Sequence, residues 1–187
     1  WLEKRIKNQA EFSGIRLIQY PTPCFLNTMP DVHHFFDQRK KYFQTDFYTW
    51  QRKSRNILMN ADGSPAGGKW TFDAENRQKF PKKETLPTYL FSAPDAYTKE
   101  ASAYVDKYFK HNYGQGAPPA NGKYPWAWTF EGSENLLDDF LENRLEKFGV
   151  YEDAMVEDED YLFHSILTPM LNTGLLTPEM VIEKTLA

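Results

Sequence analysis

The stretch FHSILTPMLNTGLLTPEM, residues 163–180, concentrates polar chemistry in an otherwise apolar region. His164, Ser165 and Thr168 lie directly before Pro169 and are interleaved with Phe163, Ile166, Leu167 and Leu171. Hydroxyls carried into such surroundings need hydrogen-bond partners. Two arrangements supply them. The side chains bond back to carbonyls of their own helix, or they join backbone N–H groups in a site for an anion.

Other chemistries are poorly served. His33 and His34 are adjacent, so on a helix they point about 100° apart and do not share one ion, while His111 and His164 stand alone. The acidic run EDAMVEDED, residues 152–160, lacks the alternating ligands and the glycine of a calcium loop and reads as a solvated loop. Cys24 is the only cysteine, so the chain's thiols build no disulfide framework or zinc site, and a small buried apolar role is expected for it. No metal ligands are assigned. No Gly-x-Ser-x-Gly elbow, Walker loop or dinucleotide fingerprint is present.

The elements that must position the 163–180 stretch follow from hydrophobic spacing. Leu136, Leu137, Phe140, Leu141, Leu145 and Phe148 form one helical stripe from Ser133, with Gly149 where a left-handed C-terminal residue belongs. A second helix is predicted over 159–172, and a third from Thr177 with Pro178 in its first turn. Upstream, residues 1–12 read as a helix, IRLIQY (15–20) as a short strand, and Asp31 as the N-cap of a short helix. A longer helix is predicted from a Thr45 or Asp46 cap to about Met59, followed by the turn-rich NADGSPAGG of 60–68. Periodicity is sparse over 69–97, resumes over 98–113 with Gly114 as its stop, and lapses again through 114–128.

Residues 61–130 therefore read as an interdomain connector. It packs on its neighbours, because Trp70, Phe72, Phe80, Tyr89, Phe91, Tyr124, Trp126 and Trp128 would be costly to leave in water. Within it, Trp70 and Phe72 are expected to anchor against the preceding unit, and Asp73, Glu75, Asn76 and Arg77 to pin the backbone by hydrogen bonds and ion pairs. Charge divides at the same place. Residues 1–91 hold 15 Lys and Arg against 9 Asp and Glu, whereas 92–187 hold 7 against 17. Such asymmetry fits either an anionic partner for the basic half or a solvated surface balanced elsewhere. No apolar run approaches the roughly 20 residues of a membrane span, and no signal-peptide core is present, so a cytoplasmic location is expected. The 187 residues, opening on Trp1, are expected to be a segment of a longer protein.

LFHSILTPMLNTGLLTP (162–178) resembles the flavin-contacting segment of the cryptochrome/photolyase superfamily. YFQTDFYTWQRKSRNILM (42–59), GSPAGGKWTFDAENRQKFPK (63–82) and KFGVYEDAM (147–155) resemble, more narrowly, its photolyase-related branch, the iron–sulfur bacterial cryptochromes and photolyases. The resemblance covers about 40–187. It implies an α+β segment that is mostly α. Residues 1–60 would close an α/β photolyase-type antenna domain, 61–130 would connect, and 131–187 would begin an all-α FAD-binding domain. It further implies that Tyr151 lies against the flavin nucleotide and that His164, Ser165, Ile166, Leu167 and Thr168 form the stretch facing its diphosphate. His164 stands where threonine is common, Ile166 where arginine is common, and Thr168 replaces serine. The implied activity is light-driven electron transfer from reduced FAD to a pyrimidine (6-4) photoproduct in UV-damaged DNA. The alternative is a non-enzymatic blue-light receptor of the same fold. A ribityllumazine antenna and a 4Fe–4S cluster are implied too, with cluster ligands outside this chain, since Cys24 cannot supply four thiolates.

Overall fold

A computed structural model describes residues 1–114 and 122–187, and its regular structure is helical. In chain order the elements are α1 (Leu2–Phe12), α2 (Met29–Phe36), α3 (Gln44–Arg55), α4 (Ala96–Tyr108), α5 (Phe130–Asn143), α6 (Leu145–Tyr151), α7 (Thr168–Thr173) and α8 (Pro178–Leu186). Among the described residues β structure is confined to two isolated bridges, Met59 with Pro65 and Ser92 with Tyr124. The chain is thus mostly α, as the sequence indicates. None of these helices is long and apolar enough to cross a membrane.

The first half is held by rings and caps. Thr28 is the N-cap of α2 in a capping box with Asp31: the Asp31 N–H donates to Thr28 Oγ1, and the Thr28 N–H donates to Asp31 Oδ2 at 2.8 Å. Asp31, expected as the cap itself, is therefore the reciprocal N3 partner. Phe35 is buried between Phe36, Phe47 and Trp50 at ring separations of 4.8–5.3 Å, and this cluster is what joins α2 to α3. Helix α3 begins at Gln44, so Thr45 and Asp46 lie inside its first turn. It stops four residues short of Met59 because Asn56 turns left-handed at φ 53°. Arg52, 5 % exposed, closes that end by donating to the carbonyls of Ile57, Leu58 and Trp70.

The expected strand at 15–20 does not form. Ile15, Leu17, Ile18 and Tyr20 are exposed in a segment without regular structure, and a strand needs a neighbouring strand to satisfy its N–H and C=O groups. No such neighbour exists among the described residues. An apolar groove of about 920 Å³, lined by Phe25, Met29, Val32, Phe36, Phe43 and Phe47 among others, opens on the same part of the chain.

The irregular stretch that connects α3 to α4, residues 56–95, takes its order from side chains. Trp70 is half-buried beneath the Arg52 and Lys53 cations, whereas Phe72, expected as a second anchor, is 48 % exposed. The pinning role expected of 73–77 is seen at three residues: Glu75 pairs with Lys69, Asn76 Nδ2 donates to Glu152 Oε2 at 2.9 Å, and Arg77 pairs with Asp153 at 3.4 Å. Helix α4 starts earlier than expected because Asp95 and Thr98 form a capping box, and Asp95 Oδ2 also accepts from Trp128 Nε1 at 2.8 Å. It ends at Tyr108, well before Gly114. The irregular stretch expected over 114–128 falls partly on 115–121, outside the described residues.

The main core gathers Ala127, Leu136, Leu137, Phe140, Leu167, Met170 and Leu176, with the stripe of α5 at its centre. Thr129 caps α5 by accepting from the Gly132 N–H, so the helix begins three residues before Ser133. It breaks at Arg144, and Gly149 lies within α6 rather than ending a helix. The helix expected over 159–172 shrinks to the six residues of α7. A continuous helix would drive the Pro169 ring into the Ser165 carbonyl, and Leu162 and Ile166 instead turn left-handed, at φ 42° and 59°. Helix α8 starts as expected, with Thr177 Oγ1 accepting from the Met180 N–H.

Arg144 is 2 % exposed at the α5–α6 break. Its Nη1 donates to Asp139 Oδ2 at 2.6 Å and to the Thr88 carbonyl at 3.2 Å, its guanidinium lies 5.3 Å from the Tyr89 ring, and Asp139 accepts from the Leu90 N–H. Removing one partner of a buried pair leaves the other charge uncompensated. Arg144→Ala should therefore destabilise the fold by about 3–5 kcal/mol in denaturant titrations; a change below about 1 kcal/mol, the range of surface pairs, would contradict this.

Tyr89 adds a pH signature to the same joint. Its buried hydroxyl has no partner among the described residues, and its phenol is pushed up to about 12 from an ordinary 10.0, by burial first and by the charge of Glu159 second. The fold holds this proton more tightly than the unfolded chain does. The contribution is therefore intact below about pH 10 and disappears as pH rises towards 12. Denaturation midpoints should fall through that window, and Tyr89→Phe should flatten the fall without destabilising the protein at neutral pH; an equally steep decline in the variant would rule Tyr89 out as its source.

Candidate functional site

Helix α6 and the turn from 161 to 168 form one surface. Tyr151, at the end of α6, is half-buried and stacks on Phe163 at 5.7 Å, with Phe80 of the connector edge-on to it at 5.4 Å. Two backbone hydrogen bonds run alongside, from the Gln78 N–H to the Val150 carbonyl and from the Asp153 N–H to the Asn76 carbonyl. One turn before Tyr151, Lys147 bonds to Glu84 at 2.5 Å. That hydrogen bond holds the Glu84 carboxyl below its usual range and the Lys147 ammonium above its own.

The six residues singled out in the sequence have different situations. His164 is exposed but committed: its Nε2 donates to the Glu152 carbonyl at 3.0 Å, and its ring meets Phe148 edge-on at 5.6 Å. It ties the turn to the end of α6. Leu167 is 3 % exposed and belongs to the core, leaving only its backbone to face a ligand. Ile166 is half-buried and left-handed, a conformation that costs a β-branched residue about 1–2 kcal/mol and that the surrounding packing must impose.

Ser165 is half-buried and Thr168 is exposed. Among the described residues neither hydroxyl has a hydrogen-bond partner. The back-bonding arrangement considered for them is found instead at Thr173, which donates to the Pro169 carbonyl at 2.9 Å. Two hydroxyls on either side of a strained residue, both uncommitted, suit an acceptor-rich ligand such as a phosphate group. Helix α7 is too short for its dipole to matter, so the hydroxyls and the neighbouring N–H groups must carry any recognition.

Phe80, Phe163, Glu84 and Lys147 complete the surface and were not picked out as site residues from the sequence. Their pairings span 12 to 83 positions, beyond the reach of helical or strand periodicity. The aromatic and charge content of the connector was the available signal. Among the described residues no group of three or more His, Cys, Asp or Glu is placed to hold a metal ion.

Comparison with known proteins adds to this geometry. A family model described as deoxyribodipyrimidine photo-lyase-related protein matches residues 1–119. A (6-4) photolyase of Agrobacterium fabrum is 34 % identical over 178 residues, covering 93 % of this chain and 34 % of that protein. An uncharacterized protein of Acanthamoeba polyphaga mimivirus is 37 % identical over 86 residues, 44 % of this chain and 43 % of its own. The chain thus spans about a third of the length of the photolyase it matches.

The aromatic trio is the joint that holds connector and turn together. Phe80→Ala should cost about 1–2 kcal/mol, less than the 3–5 of a fully buried phenylalanine, and should weaken the near-UV circular dichroism arising from Tyr151. Unchanged stability and spectrum would show that Phe80 does not hold the connector on α6.

Proposed function

This chain belongs to the deoxyribodipyrimidine photo-lyase-related protein family, and from that premise we propose that it is the flavin-facing part of a light-driven DNA repair protein. The reading divides the chain into 1–60, closing an α/β antenna domain, 61–130, an interdomain connector, and 131–187, the start of a helical FAD-binding domain. The exposed apolar groove and the exposed apolar residues of 15–20 support the first assignment, since both need further layers to cover them. The side-chain lacing of 75–90 onto α5 and α6 supports the second.

The observation that carries the cofactor assignment is the pair of uncommitted hydroxyls, Ser165 and Thr168, around left-handed Ile166. They fit the diphosphate of FAD, a ligand rich in acceptors and poor in donors. Tyr151 would lie against the nucleotide. His164 would orient the turn through Glu152, and Ile166 and Leu167 would offer backbone only. FAD, when bound and reduced, would supply photoexcited electron transfer to a pyrimidine (6-4) photoproduct. The chain's own residues would bind and orient it. UV-damaged DNA is the substrate on this reading, and the positive half of the chain suits its phosphates. The antenna and the iron–sulfur cluster that the resemblance implies are assigned no residue here.

The test is illumination of the protein with reduced FAD and an oligonucleotide carrying a (6-4) photoproduct. Restoration of intact pyrimidines in blue light and none in the dark is the expected outcome. Reversible photoreduction of the flavin with no restoration would favour the blue-light receptor instead.

A further inference from the structure

Six of the eleven basic side chains of residues 39–83 are engaged by other groups of the chain, and of these Arg52 alone is buried. Arg39 pairs with Asp46, Arg52 and Arg55 donate to backbone carbonyls, Lys53 lies over Trp70, Lys69 pairs with Glu75, and Arg77 pairs with Asp153. About half of this run of positive charge is therefore already engaged within the chain. Lys40, Lys41, Lys79, Lys82 and Lys83 are different: all five are exposed and without partners among the described residues.

Of these, Lys82 and Lys83 stand on a built scaffold. They are the two central residues of a turn closed by the Glu84 N–H donating to the Pro81 carbonyl at 3.0 Å. Both flanks are fixed. On one side the Phe80 ring is held by Tyr151 and Phe163; on the other, Glu84 is bonded to Lys147 of α6. Engaging Glu84 with Lys147 also prevents it from neutralising the adjacent lysines. Two exposed lysines thus occupy adjacent positions of a turn moored to the same α6 surface as Tyr151, with Lys79 just upstream. A flexible lysine must be ordered before it holds an anion, and a moored backbone reduces that cost.

We propose that the Pro81–Glu84 turn is a phosphate clamp for the DNA backbone, in which Lys82 and Lys83 fix the register of the strand beside the flavin-facing turn. This rests on the DNA-substrate reading above. It goes further in assigning the phosphate pairing to two named side chains, which lack the partners that engage the other six. Pairings of this kind carry no base information, so they act on damaged and undamaged duplex alike.

The experiment is fluorescence anisotropy of the chain with a labelled duplex, in the dark and without added flavin, across a salt series. Each lysine–phosphate pairing that is removed lowers the slope of log affinity against log salt by about 0.9. Lys82→Ala with Lys83→Ala should therefore reduce the slope by about 2 on damaged and undamaged duplex equally, and Lys82→Arg with Lys83→Arg should retain it. The equal-charge control, Lys40→Ala with Lys41→Ala, should leave it unchanged. An unaltered slope in the Lys82/Lys83 variant, an equal fall in the control, or absence of DNA binding by the unsubstituted chain would overturn the clamp. Because flavin takes no part in this measurement, its failure is distinct from failure of the flavin assignment.

Discussion

Arg144 is removed from water at the joint between α5 and α6, and the connector depends on how that charge is satisfied. A guanidinium in this position cannot lose its proton, so it must be met by acceptors. Asp139 supplies one to Nη1, and the connector supplies a second through the Thr88 carbonyl, while Nε has no partner among the described residues. The requirement is reciprocal. Residues 88–90 have no ladder of their own, and the same Arg–Asp pair satisfies Thr88 and, through the Leu90 N–H, the next polar group but one. An irregular segment is thereby ordered by a helix break it does not belong to.

The same device recurs along the connector at lower cost. Glu84 on Lys147, Asn76 on Glu152, Gln78 on the Val150 carbonyl and Arg77 on Asp153 each join connector to α6 or the residues just after it, in half-exposed surroundings where single pairs are weak. Together with Phe80 they fix Tyr151 and, through the Glu152–His164 hydrogen bond, the turn that follows. The arrangement leaves the Ser165 and Thr168 hydroxyls, on either side of Ile166, with nothing to bond inside the described fold, which is why the ligand assignment falls on them.

Much of the helical half was legible in sequence because its cause is local. The Leu136–Leu141 part of the stripe and the Thr177–Pro178 start need only spacing and a cap, and both are where the residues place them, whereas the break at Arg144 and a helical Gly149 are not. The helix expected over 159–172 was misread because its apolar spacing is genuine while the backbone it implies is not: Pro169 obstructs it, and left-handed Leu162 and Ile166 are imposed by packing that no spacing reports. The strand at 15–20 failed for a related reason, since strand formation is a property of pairs. Arg144 was invisible altogether, because in LENRLEK it reads like any solvated helix charge. The resemblance that identified the turn identified residues, not their surroundings. It did not separate Leu167, a core residue, from its neighbour Thr168, which faces solvent.

The central claim is that two hydroxyls on a strained turn hold the diphosphate of a flavin nucleotide. Titrating the chain into FAD and following its fluorescence measures this directly. The account predicts saturable binding that weakens about tenfold or more in Ser165→Ala with Thr168→Val, through removal of two hydrogen bonds to a charged group, with the fold unchanged by circular dichroism. Binding isotherms that coincide for the two proteins, or no binding to either, would contradict it.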